Sequence, residues 1–344
     1  MEPSMNPDFY GCSPVDLSTW VEDAGLPAFR AKQLFTYLHS QQPERFAEVT
    51  VLPKALREQW DAAFRLAPGT EVERQESRDG TVKSLLEFAD GKRAECVSIP
   101  TASRHTICVS SQVGCAVGCT FCASGLRGVE RDLQAGEIMW QVLHHHRRRP
   151  VTHIVFMGSG EPLFNYEAVL RAIRLLGDPA GMGLSRRRIT VSTSGVAERI
   201  RQLGDDEPQV TLALSLHAAD NATRSQLVPL NRRWNVDHLI EALQDYATKV
   251  GRRMTFEYVL LADANMSPQH AQDLGRLARR FGAHINLIPF NPVIQTPHQR
   301  PSWDEVEDFA AAVAAAGGHA TIRGQRGADI DAACGQLALK HADG

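Results

Sequence analysis

The sequence predicts an α/β fold, an open and partial TIM-like barrel of six strand–helix units that follows a small helical module and a β meander. From Thr106 onward, short continuous apolar segments alternate with amphipathic segments of helical length, as in parallel sheets that are buried on both faces. Six units are too few for a closed eight-stranded barrel. Before Thr106, helical periodicity gives way to short strand-like segments separated by turn residues.

Three helices are predicted in the N-terminal region. Residues 1 to about 14 show no periodic pattern and are expected to be unstructured, and Ser18 is expected to cap the first helix. A second helix is predicted over residues 28–39, and a third follows Pro53. We assign residues 1–68 to a helical accessory domain of an RNA-binding kind.

A β meander is predicted next. Asp-Gly pairs at residues 79–80 and 90–91 are strong signals for hairpin turns, and alternating segments flank them. We therefore assign residues 69–104 to a meander that links the helical module to the barrel. Its predicted strands cover residues 72–77, 82–88 and 94–100.

The barrel is predicted over residues 105–344. In such sheets the active site lies beyond the carboxyl ends of the strands, so functional residues should collect there. The predicted strands cover residues 106–111, 152–157, 188–193, 210–216, 254–261 and 284–290. The predicted helices lie near residues 134–147, 167–176, 196–203, 236–249, 268–281 and 303–316.

Composition favours a cytoplasmic protein. The chain has 344 residues, 43% of them hydrophobic, and no apolar run long enough to cross a bilayer. The N-terminal residues lack the features of a secretory signal. Seven cysteines, an odd number with three of them in one loop, fit a reducing compartment better than a disulfide framework. We therefore expect a cytoplasmic protein without a membrane partner.

The sequence contains one run of histidines and four clusters of arginines. A net charge of −3 neither favours nor excludes a nucleic-acid partner, because a local patch can bind phosphates. The His144-His145-His146 run is expected to be a surface cluster at a helix end and is not assigned to metal. The arginine clusters fit solvated helix ends as well as RNA contacts, and they lie at residues 147–149, 186–188, 232–233 and 252–253.

Three cysteines in one loop, Cys115-x3-Cys119-x2-Cys122, are candidate metal ligands. Thiolates at this spacing suit an iron–sulfur cluster, and three ligands leave one iron of a 4Fe-4S cluster open for a small molecule. A structural zinc site with Cys108 or His105 as fourth ligand is the alternative. Such sites usually recruit a second ligand pair further along the chain, and none follows here.

Small polar residues follow the carboxyl ends of several predicted strands. The second strand leads into the glycine-rich turn 157–162, whose backbone can approach a ligand and whose carboxylate can receive an ammonium group. The third, fourth and sixth strands end in 192–195, 215–217 and 289–292. Such a repeated pattern is difficult to explain by packing alone.

These motifs, taken in order, resemble the RlmN/Cfr family of radical SAM RNA methyltransferases. The resemblance covers about residues 29–337 and rests on several motifs. The motifs are CVSSQVGC with the cysteine triad, GSGEP, STSG, SLH, FEYVLL, NLIPFNP and RGADIDAACGQL.

The resemblance implies a 4Fe-4S cluster on Cys115, Cys119 and Cys122, with S-adenosylmethionine (SAM) chelated to its open iron. It implies catalytic roles for Cys334, Cys108 and Glu95, the last as a proton acceptor. Without the family, either thiol would be interpreted as a small buried hydrophobe and Glu95 as a solvated side chain; Cys12 and Cys96 keep that interpretation. The implied SAM-binding residues are Gly160, Glu161, Ser192, Ser215, Leu216, His217 and Asn291.

A sequence of reactions also follows from the resemblance. One SAM methylates the Cys334 thiolate, and a second SAM is cleaved to a 5′-deoxyadenosyl radical that removes hydrogen from the S-methyl group. The carbon radical adds to the adenine. Loss of a ring proton and attack of Cys108 on Cys334 then release the methylated base and leave a transient disulfide.

The expected substrate is carbon 2 of an adenine in 23S rRNA, with tRNA as a further candidate. An electron donor such as flavodoxin or ferredoxin is implied. Methylation of carbon 8, another RNA target, a glycyl-radical activase and an RNA-binding module with a structural cluster remain alternatives. The chain departs from the usual family pattern at Ser159, Glu130 and Asp132.

Overall fold

The computed structural model describes residues 7–293 and 296–337. These residues form a ten-stranded sheet with helices packed around it and a separate two-stranded sheet of residues 112–114 and 129–132. Residues 1–6 of the predicted N-terminal domain and residues 338–344 of the predicted barrel domain lie outside the described residues. The strand order in the large sheet is β1-β2-β3-β4-β7-β8-β9-β10-β11-β12. The strands are β1 (Gly69–Glu76), β2 (Val82–Phe88), β3 (Arg93–Pro100), β4 (His105–Cys108), β5 (Gln112–Gly114), β6 (Val129–Asp132), β7 (His153–Phe156), β8 (Ile189–Thr193), β9 (Thr211–Ser215), β10 (Thr255–Leu260), β11 (His284–Pro289) and β12 (His319–Ile322).

The sheet confirms the predicted α/β class. Strands β4 and β7 to β12 pair in parallel, as expected for strand–helix units. The last parallel strand, β12, was not predicted. It is four residues long and alternates between exposed and half-buried positions, so it lacks the apolar run by which the other strands were recognised.

Helices flank the parallel strands where the amphipathic pattern predicted them. The α10 helix shows why such boundaries can be read from sequence: Ser267 accepts a hydrogen bond from the backbone N–H of His270 at its start, and Gly282 ends it with a positive φ of 58°. The helices are α1 (Pro14–Asp23), α2 (Phe29–Gln41), α3 (Lys54–Ala63), α4 (Ala123–Leu126), α5 (Ala135–His146), α6 (Tyr166–Leu176), α7 (Ala197–Asp206), α8 (Asn221–Leu227), α9 (Val236–Val250), α10 (Pro268–Phe281) and α11 (Trp303–Ala315).

The N-terminal module begins earlier than predicted. Phe9 and Tyr10 are buried in a short 3-10 turn, so the expectation of an unstructured segment is wrong for the described residues before α1. The Asp8 carboxylate fixes this turn, because it accepts hydrogen bonds from the backbone N–H groups of Gly11 at 3.1 Å and Gly136 at 2.8 Å. The turn therefore attaches the module to the start of α5.

The start of the first helix also differs from the prediction. Ser13, not Ser18, caps α1, and the Asp16 carboxylate accepts a hydrogen bond from the backbone N–H of Ser13 at 2.8 Å. The Ser18 hydroxyl donates to the carbonyl of Val15 inside the helix. A reciprocal cap, with proline at the first helical position, specifies the helix start better than a lone serine.

The β meander continues the barrel sheet. Both predicted turns are present, with Gly80 and Gly91 at φ of 80° and 76°. Strand β3 pairs antiparallel with β4, which in turn pairs parallel with β7, so the meander joins the barrel edge through continuous hydrogen bonding. The division of the chain into three domains stays a prediction.

The expectation of a histidine surface cluster is wrong. His144 and His145 are buried, because the β1–β2 hairpin covers the end of α5. The His144 Nε2 atom lies 3.2 Å from Oε1 of Glu71, and the His145 Nε2 atom lies 3.4 Å from Sγ of Cys96. Burial lowers the pKa of both rings and raises that of the Cys96 thiol. Cys96 thus keeps its interpretation as a buried hydrophobe.

Arginines in all four basic clusters have structural partners. In the cluster at residues 232–233, the Arg233 guanidinium lies 4.2 Å from the centroid of the Trp234 ring. Arg147 pairs with Glu44, and Arg149 donates to the carbonyl of Thr101 at 2.7 Å. Arg186 lies 3.5 Å from Glu207, and Arg252 donates to the carbonyl of Gln209.

None of the described helices is long and apolar enough to cross a membrane.

Candidate active site

A cavity opens at the carboxyl ends of the parallel strands, where the sequence predicted the functional residues to meet. Its lining comes from the cysteine loop, from the ends of β7 to β11 and from the C-terminal segment. The predicted functional residues that line this cavity are Cys115, Cys119, Cys122, Gly160, Glu161, Ser192, Ser215, His217 and Cys334.

The three cysteines of the triad form one wall of this cavity. The β5–β6 hairpin brackets their loop, and the backbone N–H of Cys115 donates to the carbonyl of Gly128 at 2.8 Å. A second bond joins the backbone N–H of Cys122 to the carbonyl of Cys119 at 3.2 Å, just before α4. These bonds fix the loop, whose three closely spaced thiols line one cavity.

The thiols suit ligation of a metal cluster. Burial raises the pKa of the Cys115 thiol to about 12, and it also raises the pKa values of Cys119 and Cys122. Neighbouring thiols raise these pKa values further. Such thiols become thiolates when a metal charge stabilises them. Within residues 7–293 and 296–337, no group of three or more His, Cys, Asp or Glu side chains is arranged to hold a single metal ion. Three thiols that line one cavity, one of them buried and two half-buried, fit a larger cluster.

The glycine-rich turn after β7 presents the Glu161 carboxylate to the cavity. One carboxylate oxygen accepts from the backbone N–H of Ser194 at 2.7 Å and the other from that of Leu163 at 3.1 Å. Two backbone donors orient the carboxylate while lone pairs remain for an ammonium group. Burial raises the pKa of Glu161, so a cationic ligand would favour its charged form.

Two glycines are needed for this turn. Gly160 has a φ of 101°, and an added Cβ atom would lie 2.6 Å from the Cβ of Gln112. An added Cβ at Gly158 would lie 2.6 Å from the Ser110 hydroxyl. The turn therefore packs directly against the chain that leads into the cysteine loop, which accounts for the glycine spacing in the motif.

The hydroxyl groups at the ends of β8 and β9 face one another. The Oγ atoms of Ser192 and Ser215 are 3.1 Å apart, and both side chains line the cavity. Neighbouring parallel strands place their last residues side by side, so two serines that are distant in sequence become one hydroxyl pair. The pair supplies donors and acceptors for a polar ligand.

His217 is neutral, and its tautomer is fixed. Its Nδ1 atom accepts a hydrogen bond from the backbone N–H of Val259 at 3.1 Å, so the proton of the neutral ring resides on Nε2. Burial lowers its pKa to about 3. The residue has a left-handed φ of 58°, and Asn265 holds its carbonyl at 2.8 Å. His217 thus offers a neutral N–H donor in the cavity.

Two predicted SAM-binding side chains do not line this cavity. The Leu216 side chain is buried in the main core, and its carbonyl accepts from Nε of Arg224 at 3.0 Å. The Asn291 side chain lines a neighbouring cavity and donates to the carbonyl of Cys334 at 3.0 Å. Their assigned SAM contacts stay predictions.

The C-terminal segment brings Cys334 over the mouth of the barrel. The backbone N–H of Ala123 donates to the carbonyl of Gly335 at 2.9 Å, and the Ser124 hydroxyl donates to that of Leu337 at 2.6 Å. Both donors lie at the start of α4, directly after the last cysteine of the triad. The segment is therefore bonded to the cysteine loop itself.

Cys108 lies outside the main cavity at the end of β4. It is buried and packs in one cluster with Ala332 and Leu337, which flank Cys334 in sequence. Burial raises the pKa of its thiol to about 12, and the charge of Arg323 opposes that shift. All seven cysteines are free thiols in the structure.

Glu95 faces a smaller cavity behind the C-terminal segment. It is only 7% exposed, and Oε1 lies 3.2 Å from Nζ of Lys83, so the interpretation of a solvated glutamate is wrong. Burial raises its pKa to about 7, while the Lys83 charge acts in the opposite direction. Leu337 and Ser159 line the same cavity. Its role as a proton acceptor stays a prediction.

Two of the three departures from the family pattern, Ser159 and Glu130, line this smaller cavity. The Ser159 hydroxyl donates to that of Ser124 at 2.8 Å, which continues the chain of hydrogen bonds to Leu337. Ser159 does not line the larger cavity with the cysteine triad. Glu130 pairs with Lys92, and Asp132 accepts from Gln112 at 2.6 Å. These side chains therefore have local partners in this chain.

Arg224 was missed by sequence reasoning. Its guanidinium group is fully buried and donates to the carbonyls of Leu216 at 3.0 Å and Ser194 at 2.5 Å and to the Asn231 side chain at 3.0 Å. Arg224 thereby holds the loops after β8 and β9 against each other. In the sequence it lies in a short polar helix, where an arginine is normally exposed, so no local signal marked it.

Arg323, just after β12, was missed as well. It lines the main cavity together with Cys334, and its Nη1 atom is 3.8 Å from Oε2 of Glu257. Its pKa is raised, first by the Cys334 thiolate and further by Glu257 and Cys108. Its position between two thiols and a carboxylate depends on the unpredicted strand β12.

Replacement of Arg224 by methionine is expected to lower the free energy of unfolding by about 3 kcal/mol, since each unsatisfied buried acceptor costs roughly 1–3 kcal/mol. Arg201→Met is the control, because its 2.6 Å ion pair with Asp245 is largely exposed, and such pairs contribute about 0–1 kcal/mol. Urea unfolding in one metal-loading state measures both. Equal losses in the two variants would contradict the role of Arg224.

Comparison with known proteins identifies two families along the chain. Residues 109–274 match the radical SAM superfamily, and residues 8–65 match the ribosomal RNA large subunit methyltransferase N-terminal domain. A crystal structure of a radical SAM methyltransferase from Sphaerobacter thermophilus superimposes with a TM-score of 0.92 at 45% identity. The match covers 95% of this chain and 98% of that chain.

Two curated relatives extend over nearly the whole chain. A probable dual-specificity RNA methyltransferase RlmN from Desulfitobacterium hafniense (strain Y51) is 46% identical, covering 94% of this chain and 93% of the relative. One from Thermosynechococcus vestitus is 44% identical, covering 95% and 97%. The chain therefore belongs to the RlmN family and is a radical SAM-dependent RNA methyltransferase.

Proposed function

We propose that this enzyme methylates carbon 2 of an adenine in 23S rRNA, with Cys334 as the carrier of the methyl group. The observation that supports this proposal is the position of Cys334, which lines the same cavity as the cysteine triad. Among the described residues, Cys334 is the one cysteine that lines this cavity and does not belong to the triad. A carrier thiol has to lie within reach of the reactive cofactor and of the base.

The cavity fits the implied cofactors. Cys115, Cys119 and Cys122 would hold a 4Fe-4S cluster, and the oriented carboxylate of Glu161 suits the amino group of SAM. Bound there, SAM supplies a methyl group for transfer and, after reductive cleavage, a carbon radical. The serine hydroxyls and the His217 N–H would hold the polar parts of SAM, with Gly160 allowing close approach of the backbone.

Cys334 takes the methyl group as a thioether and keeps it through hydrogen removal. Asn291 holds its backbone carbonyl and the start of α4 holds the next residues, so the sulfur stays over the cavity. The Arg323 side chain lines the same cavity as Cys334. Two SAM molecules are used in each turnover, one for each function.

Glu95 and Cys108 would complete the reaction. Glu95, with a pKa of about 7, accepts the proton that leaves the ring carbon. The adduct would pass its unpaired electron back to the cluster held by the cysteine triad. Cys108 then attacks the sulfur of Cys334, the carbon–sulfur bond breaks with its electron pair on carbon, a proton from solvent completes the methyl group, and a disulfide remains. Cys108 packs against the residues that flank Cys334, which favours this attack once the segment adjusts.

RNA as the substrate class follows from the family, and tRNA is a further candidate beside 23S rRNA. The curated relatives carry the words dual-specificity in their names, which supports testing both RNAs. An electron donor such as flavodoxin or ferredoxin would reduce the cluster. The N-terminal module, fixed to α5 through Asp8, is the candidate surface for positioning RNA.

The product decides between the candidate reactions. We expect 2-methyladenosine when anaerobically reconstituted enzyme, SAM and a reductant act on unmodified 23S rRNA, and digestion with mass spectrometry against both isomer standards measures it. A parallel reaction with tRNA tests the second substrate. A product of 8-methyladenosine alone would overturn the carbon 2 assignment. Cleavage of SAM without any methylated RNA would favour another target.

A further inference from the structure

Lys83 lies buried between two parts of the site. Its side chain and that of Glu95 are each 8% exposed, and Nζ lies 3.2 Å from Oε1 of Glu95. The same ammonium group donates to the backbone carbonyl of Asp331 at 3.4 Å. Asp331 precedes Cys334 by three residues, so one cation contacts both the carboxylate and the segment that carries the thiol.

A buried ion pair of this kind is not explained by stability alone. Removing a lysine and a glutamate from water costs several kcal/mol for each ion, and apolar residues of the same size often serve as well. In β2, Lys83 and its neighbours on both sides are buried, so an apolar side chain such as methionine would suit this position. The charge therefore needs another reason, and its two partners supply one.

The segment before Cys334 depends on the β1–β2 hairpin for its position. The Ser77 hydroxyl donates to Asp329 at 2.6 Å, and the backbone N–H of Gly327 donates to Asp79 at 3.2 Å. Lys83 adds the contact nearest to Cys334 on this side. The hairpin that was predicted as a linker is thus the support on which the carrier segment rests.

We propose that Lys83 is a positioning residue that keeps Glu95 as a carboxylate and fixes the Cys334 segment beside it. This inference rests on the proposed function, in which Glu95 accepts the ring proton. It adds a residue that neither the cysteine triad nor the SAM-binding turns contain. Lys83 acts through Glu95 and the backbone, not by touching the base.

The charges around Glu95 set the direction of the pH effect. Glu95 has its pKa raised to about 7 by burial and further by Glu73, whereas Lys83 and Arg127 lower it. Loss of Lys83 removes a lowering contribution, and an opposite charge at this distance shifts a pKa by about one to three units. Charged side chains that face Glu95 are Lys83 on β2, Glu73 on β1 and Arg127 after α4, with Arg93 and Glu130 at the cavity rim.

A base must be deprotonated, so activity falls as the pH drops through the pKa of Glu95. In Lys83→Met the midpoint of this acid limb is expected to move to higher pH by about one to three units. In Lys83→Arg, which keeps the charge, it should stay near the wild-type midpoint. Lys249→Met is the control, because its ion pair with Asp205 is exposed and remote. Single-turnover RNA methylation across pH measures all four proteins.

A second readout does not require turnover. Hydrogen exchange of the peptide around residues 328–337 in the SAM-bound holoenzyme is expected to be roughly tenfold faster in Lys83→Met, as for the loss of one charge-assisted hydrogen bond. Lys83→Arg and Lys249→Met should exchange as the wild type does. If Lys83→Met does not fold, Lys83→Gln serves for both readouts.

The outcomes separate this inference from the proposed function. An unchanged acid limb and unchanged exchange in Lys83→Met would overturn the inference while leaving the methyl transfer intact. If Glu95→Gln methylates RNA at the wild-type rate, Glu95 is not the base, and the proposed function loses that step. Infrared titration of the Glu95 carboxyl, as the difference between wild type and Glu95→Gln, then still shows whether Lys83 lowers its pKa.

Discussion

Cys334→Ala is expected to reduce RNA methylation to background while reductive cleavage of SAM continues. Alanine removes the carrier thiol but leaves the cysteine triad, Glu161 and the serine pair in place. Without the thiol, no methyl group is held next to the radical, so the radical is quenched without forming a product. Chromatography of 5′-deoxyadenosine and mass spectrometry of the RNA measure the two activities separately.

Cys12→Ala is the matched control for this experiment. Cys12 is a half-buried thiol at the end of the N-terminal 3-10 turn, away from the cavity. Its variant should methylate RNA as the wild type does, which excludes a general effect of removing a thiol. Methylation by Cys334→Ala at more than a trace of the wild-type rate would rule out Cys334 as the carrier.

Cys108→Ala is expected to trap the enzyme as a covalent adduct with RNA. The carbon bridge between the Cys334 sulfur and the base forms before Cys108 acts, so the variant completes that step and stops. Denaturing gels with labelled RNA should show a slow band that protease digestion removes. Its yield should approach one RNA for each active enzyme, because a single event blocks the site.

Cys96→Ala provides the control for the resolving thiol. Cys96 lies on β3, one position from the residue that pairs with Cys108, and is fully buried beside His145. It should turn over normally and accumulate no adduct. If Cys108→Ala yields only free RNA, methylated or not, the resolving role of Cys108 is wrong.

The barrel could be predicted from the sequence because its signals are local. Apolar runs define the buried parallel strands, and helix caps such as Ser267 and Gly282 define the helix ends. The order of strand and helix then places residues 160–161 and 217 at one edge of the sheet. Much of the cavity lining therefore follows from alternation and motif order.

The elements that could not be predicted depend on contacts between distant segments. The turn at Phe9 is held to the start of α5 by Asp8, and His144 is covered by the β1–β2 hairpin. Neither partner is near in sequence. Strand β12 is too short and too exposed to show a period, although it places Arg323 at the cavity.

The supporting cations illustrate the same limit. Arg224 and Lys83 occupy positions where a helix or strand normally exposes a charge, and their burial results from the loops after β8 and β9 and from the C-terminal segment. Motifs identified the residues that face a cofactor, whereas the residues that hold them in place carried no pattern. Geometry was required to find the second group.

The most direct test of methyl transfer through Cys334 uses SAM with a fully deuterated methyl group. Enzyme incubated with it and then freed of SAM should carry the labelled methyl on the peptide that contains Cys334. When unlabelled SAM, reductant and RNA follow, the first adenine product should keep all but one of the deuterium atoms, since one hydrogen is removed at the sulfur and replaced from solvent. A fully deuterated methyl group in RNA, or an unlabelled first product from labelled enzyme, would contradict transfer through Cys334.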